Sequence, residues 1–164
     1  MRKIILASQS AQRQKLLRQI GLEFTCAKSG VKEGVKLGPG GCAALVMSNA
    51  LKKARDVAKR RRAGVVIAAD TVVLSGRKII GKPKDLSDAF RTLKLISRKP
   101  QWVYTGMAVI DIDNNKVLTD YEKTKIYMYR LSDRQIRNYF RKVSPMDKAG
   151  SFDIDKVVAA SPGI

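Results

Sequence analysis

One aspartate stands inside an apolar run. Val65 to Leu74 reads VVIAADTVVL, nearly continuous apolar residue of the kind a strand buried on both faces shows, broken only by Asp70 and Thr71. A buried carboxylate is costly unless it is paired, hydrogen-bonded or bound to a cation. A salt bridge to a lysine at the edge of the core would account for it structurally; a helix cap would not, because apolar β-branched residues follow. A functional acid is the favoured reading. A second group opens the chain, where Ile4 to Ala7 runs into Ser8, Ser10 and Arg13 in the stretch LASQSAQRQKLL. Ser10 suits an N-cap, and the first turn of a helix points free N–H groups outward, which is the chemistry of an anion site. Taken alone, those residues are only a capped helix.

Other chemistries are excluded by composition. The 164 residues contain no histidine and two cysteines, Cys26 and Cys42, with no C-x-x-C pair. Zinc sites and Ser-His or Cys-His nucleophile pairs are therefore removed, leaving carboxylates, lysines, hydroxyls and a hard metal ion. The 33 basic against 14 acidic residues give a net charge of +19, a field that favours phosphate-bearing partners. The run Lys59-Arg60-Arg61-Arg62 ends a helical pattern and reads first as a solvated helix end, where cations suit the helix dipole. The segment GRKIIGKP, Gly76 to Pro83, stops one residue short of a P-loop: Pro83 offers neither hydroxyl nor N–H, and the interior reads as a strand. Lys82, between a glycine and a rigid proline, is a well-fixed cation that by itself is an ordinary surface lysine.

The elements that must position these groups follow from periodicity. A strand at about 3 to 7 leads into a short helix whose apolar face is Leu16, Leu17 and Ile20, stopped at Gly21. Residues 28 to 41 form a Gly- and Lys-rich loop or lid with a single acid, Glu33. A long amphipathic helix spans about 42 to 61, with Lys53 beside Val57 at the border of its apolar face and Lys52 pointing away. After the Asp70 strand come a hairpin-like piece at 77 to 80 and a helix with Leu86, Ala89, Phe90, Leu93 and Ile96, capped near Asp85 or Ser87. Two long strands, Trp102 to Asp113 and Lys116 to Leu131, are joined antiparallel through Asn114-Asn115. The last helix starts at Ser132, with Gln135 as its capping-box partner, and buries Ile136, Tyr139, Phe140 and Val143. This mixture predicts an α/β domain with a mixed sheet and flanking helices. No apolar stretch is long enough for a membrane span and the apolar start is too short for a signal peptide, so the expected location is cytoplasmic.

Seven pieces in one order, LASQSAQR, a loop glutamate, Lys53-Ala54, AADTVV, GKPKD, VYTGMAV and DKAGSFDI, resemble the Maf family of nucleoside triphosphate pyrophosphatases. The likeness covers about residues 3 to 155. It implies a fold related to that of inosine triphosphate pyrophosphatases, with two lobes around a nucleotide cleft. It also implies hydrolysis of the α–β phosphoanhydride to a nucleoside monophosphate and pyrophosphate with a divalent cation, Mg²⁺ or Mn²⁺. Asp70 matches the family's proton acceptor, and Ser8, Arg13, Glu33, Lys53, Lys82, Asp147 and Lys148 match its other polar positions. The implied roles are Asp70, Lys53 and Lys82 in catalysis, Ser8, Ser10, Arg13 and Lys148 on the substrate, and Glu33 with Asp70 on the metal; sequence does not separate a metal ligand from a base at Asp70. The four cations would neutralise a triphosphate and its leaving pyrophosphate. Thr105 is as well explained as a strand hydroxyl with no ligand.

Departures from the family pattern bear on selectivity. Ala11 and Gln12 replace the proline and first arginine of S-P-R-R, and Phe152, Asp153, Asp155 and Lys156 replace Tyr, Gly, Gln and Gly of the last motif. The selectivity set corresponds to Gln12, Thr71 and Asp155. Thr71 resembles the type acting on dTTP and UTP, whereas an aspartate at 155 would repel phosphate or misread a base edge. Family members also continue past the last motif with a further strand and helix, so the expectation is a single domain over 1–164 lacking them. The expected partners are a nucleoside triphosphate and a second copy of the chain, with no membrane and no nucleic acid. The alternative is a catalytically impaired Maf-like protein that binds nucleotides or nucleic acid through its basic surface.

Overall fold

The computed structural model describes residues 2–146 and 148–153. The elements run β1 (Ile4–Leu6), α1 (Ala11–Gln19), β2 (Thr25–Cys26), α2 (Gly41–Ala58), β3 (Val65–Ser75), β4 (Lys78–Ile80), α3 (Leu86–Ile96), β5 (Gln101–Asp111), β6 (Lys116–Ile126) and α4 (Asp133–Lys142), then a 3₁₀ turn at Ala149–Ser151. One six-stranded sheet has the order β2-β1-β3-β5-β6, with β4 paired to β3. β1 pairs parallel with β2 and β3, and β4 pairs antiparallel with β3. Only four residues separate β5 from β6, a connection too short for anything but antiparallel neighbours. The mixed α/β class expected from the element order is what forms.

The chain divides into two compact units, Met1–Thr71 with Tyr104–Lys123, and Val72–Val103 with Thr124–Ile164. The first is built on small residues: its core joins Ala50, Ala54 and Val57 of α2 to Ile5, Val66, Ala68, Ala108 and Ile110 of the strands. Gly106 shows how close the helix comes, because a Cβ there would lie 2.4 Å from the Val46 carbonyl carbon and 2.5 Å from the Met47 nitrogen. The second unit packs Leu93 and Ile96 of α3 and Ile136 and Tyr139 of α4 with Val73, Val143 and Phe152. Asp85 caps α3 by accepting from Asp88 N at 2.7 Å, and Ser132 with Gln135 forms the complete capping box of α4.

Several boundaries differ from the sequence reading. α2 ends at Ala58, short of the basic run, and β6 ends at Ile126 although its alternating pattern continues to Leu131. Phe140 is half-buried. The face expected from Leu16 and Ile20 is not buried: they are 52% and 72% exposed, since nine residues of α1 present too little apolar length to be covered. Ser10 occupies the N-cap of α1, yet its side chain makes no capping hydrogen bond. Its backbone N–H instead donates to Ser8 Oγ at 3.2 Å. The start of the 28–41 loop is tied to the end of α2 and the turn after it: Gly30 N donates to Asp56 Oδ2 at 3.0 Å and Arg60 Nη2 donates to the Lys28 carbonyl at 2.9 Å.

Candidate active site

Asp70 is 4% exposed, and its cost of burial is offset by two donors. Lys53 Nζ stands 3.1 Å from Asp70 Oδ1 and 2.6 Å from Glu33 Oε1, so one ammonium bridges two carboxylates. Asn49 Nδ2 donates to the other oxygen, Asp70 Oδ2, at 2.8 Å. The arrangement follows from α2, where Asn49 and Lys53 are four residues apart and therefore share a face, and from the alanines that let this face approach β3. Lys53 is buried and Lys52 exposed, as the helical wheel requires.

Sequence reasoning does not single out Asn49. The residue carries a signal nonetheless, since it sits three residues after Val46 and four before Lys53, on the apolar side of the wheel. Its carboxamide also accepts from Gly34 N at 2.9 Å and donates to the Gly34 carbonyl at 2.9 Å. The loop residue next to Glu33 is thereby held against α2.

Arg13 leans from α1 over the end of this group. Its Nη1 donates to the Ala69 carbonyl at 2.7 Å and to Ser8 Oγ at 3.5 Å, and its Nη2 donates to Thr71 Oγ1 at 3.2 Å. Thr71 and Thr105 then share a hydroxyl hydrogen bond of 3.1 Å. Burial pushes the Arg13 guanidinium below its ordinary pKa, and the charges of Asp70 and Glu33 act against that shift. The first unit thus gathers Ser8, Arg13, Glu33, Lys53, Asp70, Thr71 and Thr105 on α1, α2, β3, β5 and the loops. Gln12 lies exposed in the first turn of α1 and Ser10 at its N-cap.

The second unit carries the remaining lysines. Lys82 is exposed between Gly81 and the buried Pro83, and Lys148 Nζ donates to the Ser144 carbonyl at 3.3 Å. The two loops are clipped together where Gly150 N donates to the Gly81 carbonyl at 3.1 Å. Gly150 takes φ 76°, and a Cβ there would lie 2.8 Å from the Phe152 ring. Asp147, Asp155 and Lys156 lie outside the described residues, so the reading of Asp155 as a selectivity position stays an expectation.

For a divalent cation, the donor set is the hard-oxygen pair Glu33 and Asp70. No group of three or more His, Cys, Asp or Glu residues placed to hold a metal occurs among the described residues. The two carboxylates are hard oxygen donors of the class a divalent cation of this kind takes, and Lys53 Nζ stands between them. No helix among the described residues is long and apolar enough to cross a membrane.

Comparison with known proteins agrees with the order of the motifs. Residues 3–161 match the family described as Maf-like protein. A dTTP/UTP pyrophosphatase of Dictyoglomus turgidum is 43% identical over 155 residues, 94% of this chain and 80% of the relative. One of Methanosarcina barkeri is 40% identical over 161 residues, 98% of this chain and 81% of the relative. A solved nucleoside-triphosphatase / dITP/XTP pyrophosphatase from Mycobacterium abscessus is 15% identical with a TM-score of 0.49, covering 96% of this chain and 92% of that one. With a family match over nearly its whole length and relatives at about two-fifths identity, the chain belongs to the Maf family.

Proposed function

We propose that this protein is a nucleotide diphosphatase that hydrolyses the α–β phosphoanhydride of dTTP and UTP, releasing the monophosphate and pyrophosphate. The observation that carries the reading is the bridge in which buried Lys53 joins half-exposed Glu33 to buried Asp70. The Lys53–Asp70 pair stands where water is scarce and electrostatic interactions are strong, while Glu33 meets it from the solvent side. Relatives named dTTP/UTP pyrophosphatase support the substrate class.

In this reading Asp70 accepts a proton from the attacking water or orients it, with Asn49 fixing its second oxygen. Lys53 and Arg13 offset charge on the phosphates, and Lys82 and Lys148 serve as further phosphate-binding cations. Ser8 and Ser10 lie where the free N–H groups of the first turn of α1 favour an anion. Thr71, with Gln12 and Asp155, sets base selectivity. Glu33 and Asp70 would hold Mg²⁺ or Mn²⁺, which would supply charge neutralisation at the phosphates. Because its substrates are intracellular triphosphates, the activity belongs in the cytoplasm.

The test is pyrophosphate release from dTTP, UTP, CTP and GTP with Mg²⁺ or Mn²⁺, comparing the native chain with Asp70→Asn. Release from dTTP and UTP that the variant loses is the expected result. A folded native chain that releases no pyrophosphate from any of the four would overturn the reading.

A further inference from the structure

Asn49 sits in the middle of α2, 2% exposed. Asparagine is a poor helix former, and its carboxamide is costly to bury unless its polar groups are matched. Here they are matched by two residues: Gly34, through its N–H and its carbonyl, and Asp70, through Oδ2. Both amide hydrogens are committed, one to the loop and one to the carboxylate. A carboxamide is suited to this because it presents an acceptor oxygen and two donors on a short planar group.

We propose that Asn49 is a positioning residue that clasps the Glu33 loop to Asp70, so that both carboxylates keep their places on either side of Lys53. It acts through Asp70 and Glu33 and does not touch substrate. Half-exposed Glu33, at 49%, follows a loop with no regular structure, and the bond to its neighbour Gly34 sets where that carboxylate stands. The proposal rests on Asp70 and Glu33 being the working acids of the reaction. A displacement of the order of an ångström at a reacting group is enough to cost about 10²-fold in rate.

Asn49→Leu tests this, because leucine keeps the number of side-chain heavy atoms and the branch at Cγ while removing all three hydrogen bonds. Val57→Ala is the control: Val57 is buried about two turns further along the same helix, away from Gly34. For the full chain with dTTP and Mn²⁺, Asn49→Leu is expected to lower kcat by about 10²-fold. Its KM should move by less than about threefold. Trypsin cleavage at Lys32 and Lys36 should accelerate by about tenfold or more as the loop is released. Val57→Ala should lower Tm and leave kcat and those cleavage rates near native. Native turnover with Asn49→Leu within about twofold of it, or losses matching those of Val57→Ala, overturn the clasp alone. A native chain without turnover overturns the proposed function and the catalytic role of Asn49 with it.

Discussion

Lys53 Nζ stands 3.1 Å from Asp70 Oδ1, and the two side chains are 8% and 6% exposed, so the pair is held almost out of water. Its energetics are asymmetric. Lys53 has a second anion in Glu33 at 2.6 Å, whereas among the described residues Lys53 is the one cation in an ion pair with Asp70. Lys53→Met would strand a buried carboxylate with the Asn49 amide, and breaking a buried pair in this way costs about 3–5 kcal/mol. Asp70→Asn would leave Lys53 with Glu33 and keep an acceptor for Asn49, at a cost of about 1 kcal/mol. Urea unfolding of the two variants should show that order, while both lose pyrophosphate release. Equal losses would mean that the bridge does not stabilise Asp70 as the geometry requires.

Arg13 reads the same strand from the other side. Its two terminal nitrogens reach Ala69 and Thr71, and Thr71 passes the contact on to Thr105. Thr71→Val keeps the shape but removes the acceptor, leaving a guanidinium N–H and the Thr105 hydroxyl to find other partners, which costs about 1–3 kcal/mol. Arg13→Lys keeps the charge and loses the planar fork, so kcat/KM should fall by about tenfold or more. The first is read from denaturant midpoints and the second from initial rates against dTTP concentration; a lysine variant with native kcat/KM would show that only charge matters at this position.

Periodicity exposes the elements that are long or well capped. α2, β3 and α4 are legible because apolar spacing, an apolar run and a Ser-x-x-Gln box are local signals. The same pattern at Leu16 and Ile20 misleads, because α1 is only nine residues long and leaves both side chains exposed, with Leu17 half-buried. The end of β6 is overrun, since Tyr127 and Tyr129 continue a strand-like alternation past Ile126. Asp70 stands out by its cost, and Lys53 by its wheel position. The bridge itself is not legible: Glu33 reaches Lys53 from a loop without pattern, and no local rule specifies a contact across 20 residues. Asn49 escapes notice because asparagine in a helix ordinarily faces water.

The close approach of α2 to β5 makes its own prediction. A Cβ on Gly106 would fall 2.4–2.6 Å from backbone atoms of Val46 and Met47, which cannot swing aside as a side chain can. Gly106→Ala should therefore destabilise the fold by about 3 kcal/mol or more. Gly81→Ala, with nothing within 4 Å of its Cβ, should change stability by no more than about 0.5 kcal/mol. Denaturant midpoints decide between them, and a mild Gly106→Ala would show that helix and sheet can separate at little cost.

Acid stability follows from three surface aspartates. Asp56 is held below the ordinary carboxylate range chiefly by the Gly30 N–H, with Arg60 adding to it. Asp111 is lowered first by the Asn114 side chain, and Asp133 by Lys94. A carboxyl whose pKa is depressed on folding binds protons more readily when unfolded, so its contribution is complete above the unfolded value of about 3.9 and is lost as pH falls through the lower folded value. Tm should therefore be nearly flat between about pH 7 and pH 5 and fall below about pH 4 as these groups protonate. Asp56→Asn should lower Tm slightly at neutral pH, since the new carboxamide still accepts from Gly30 but no longer pairs with Arg60. The gap should then close as pH falls through the lowered folded pKa of Asp56, since the native carboxyl is itself neutral below it. Added salt should shrink the neutral-pH gap, because the Arg60 pair is exposed and screened. A gap that persists undiminished in acid would mean that Asp56 holds the 28–41 loop by shape and not by charge.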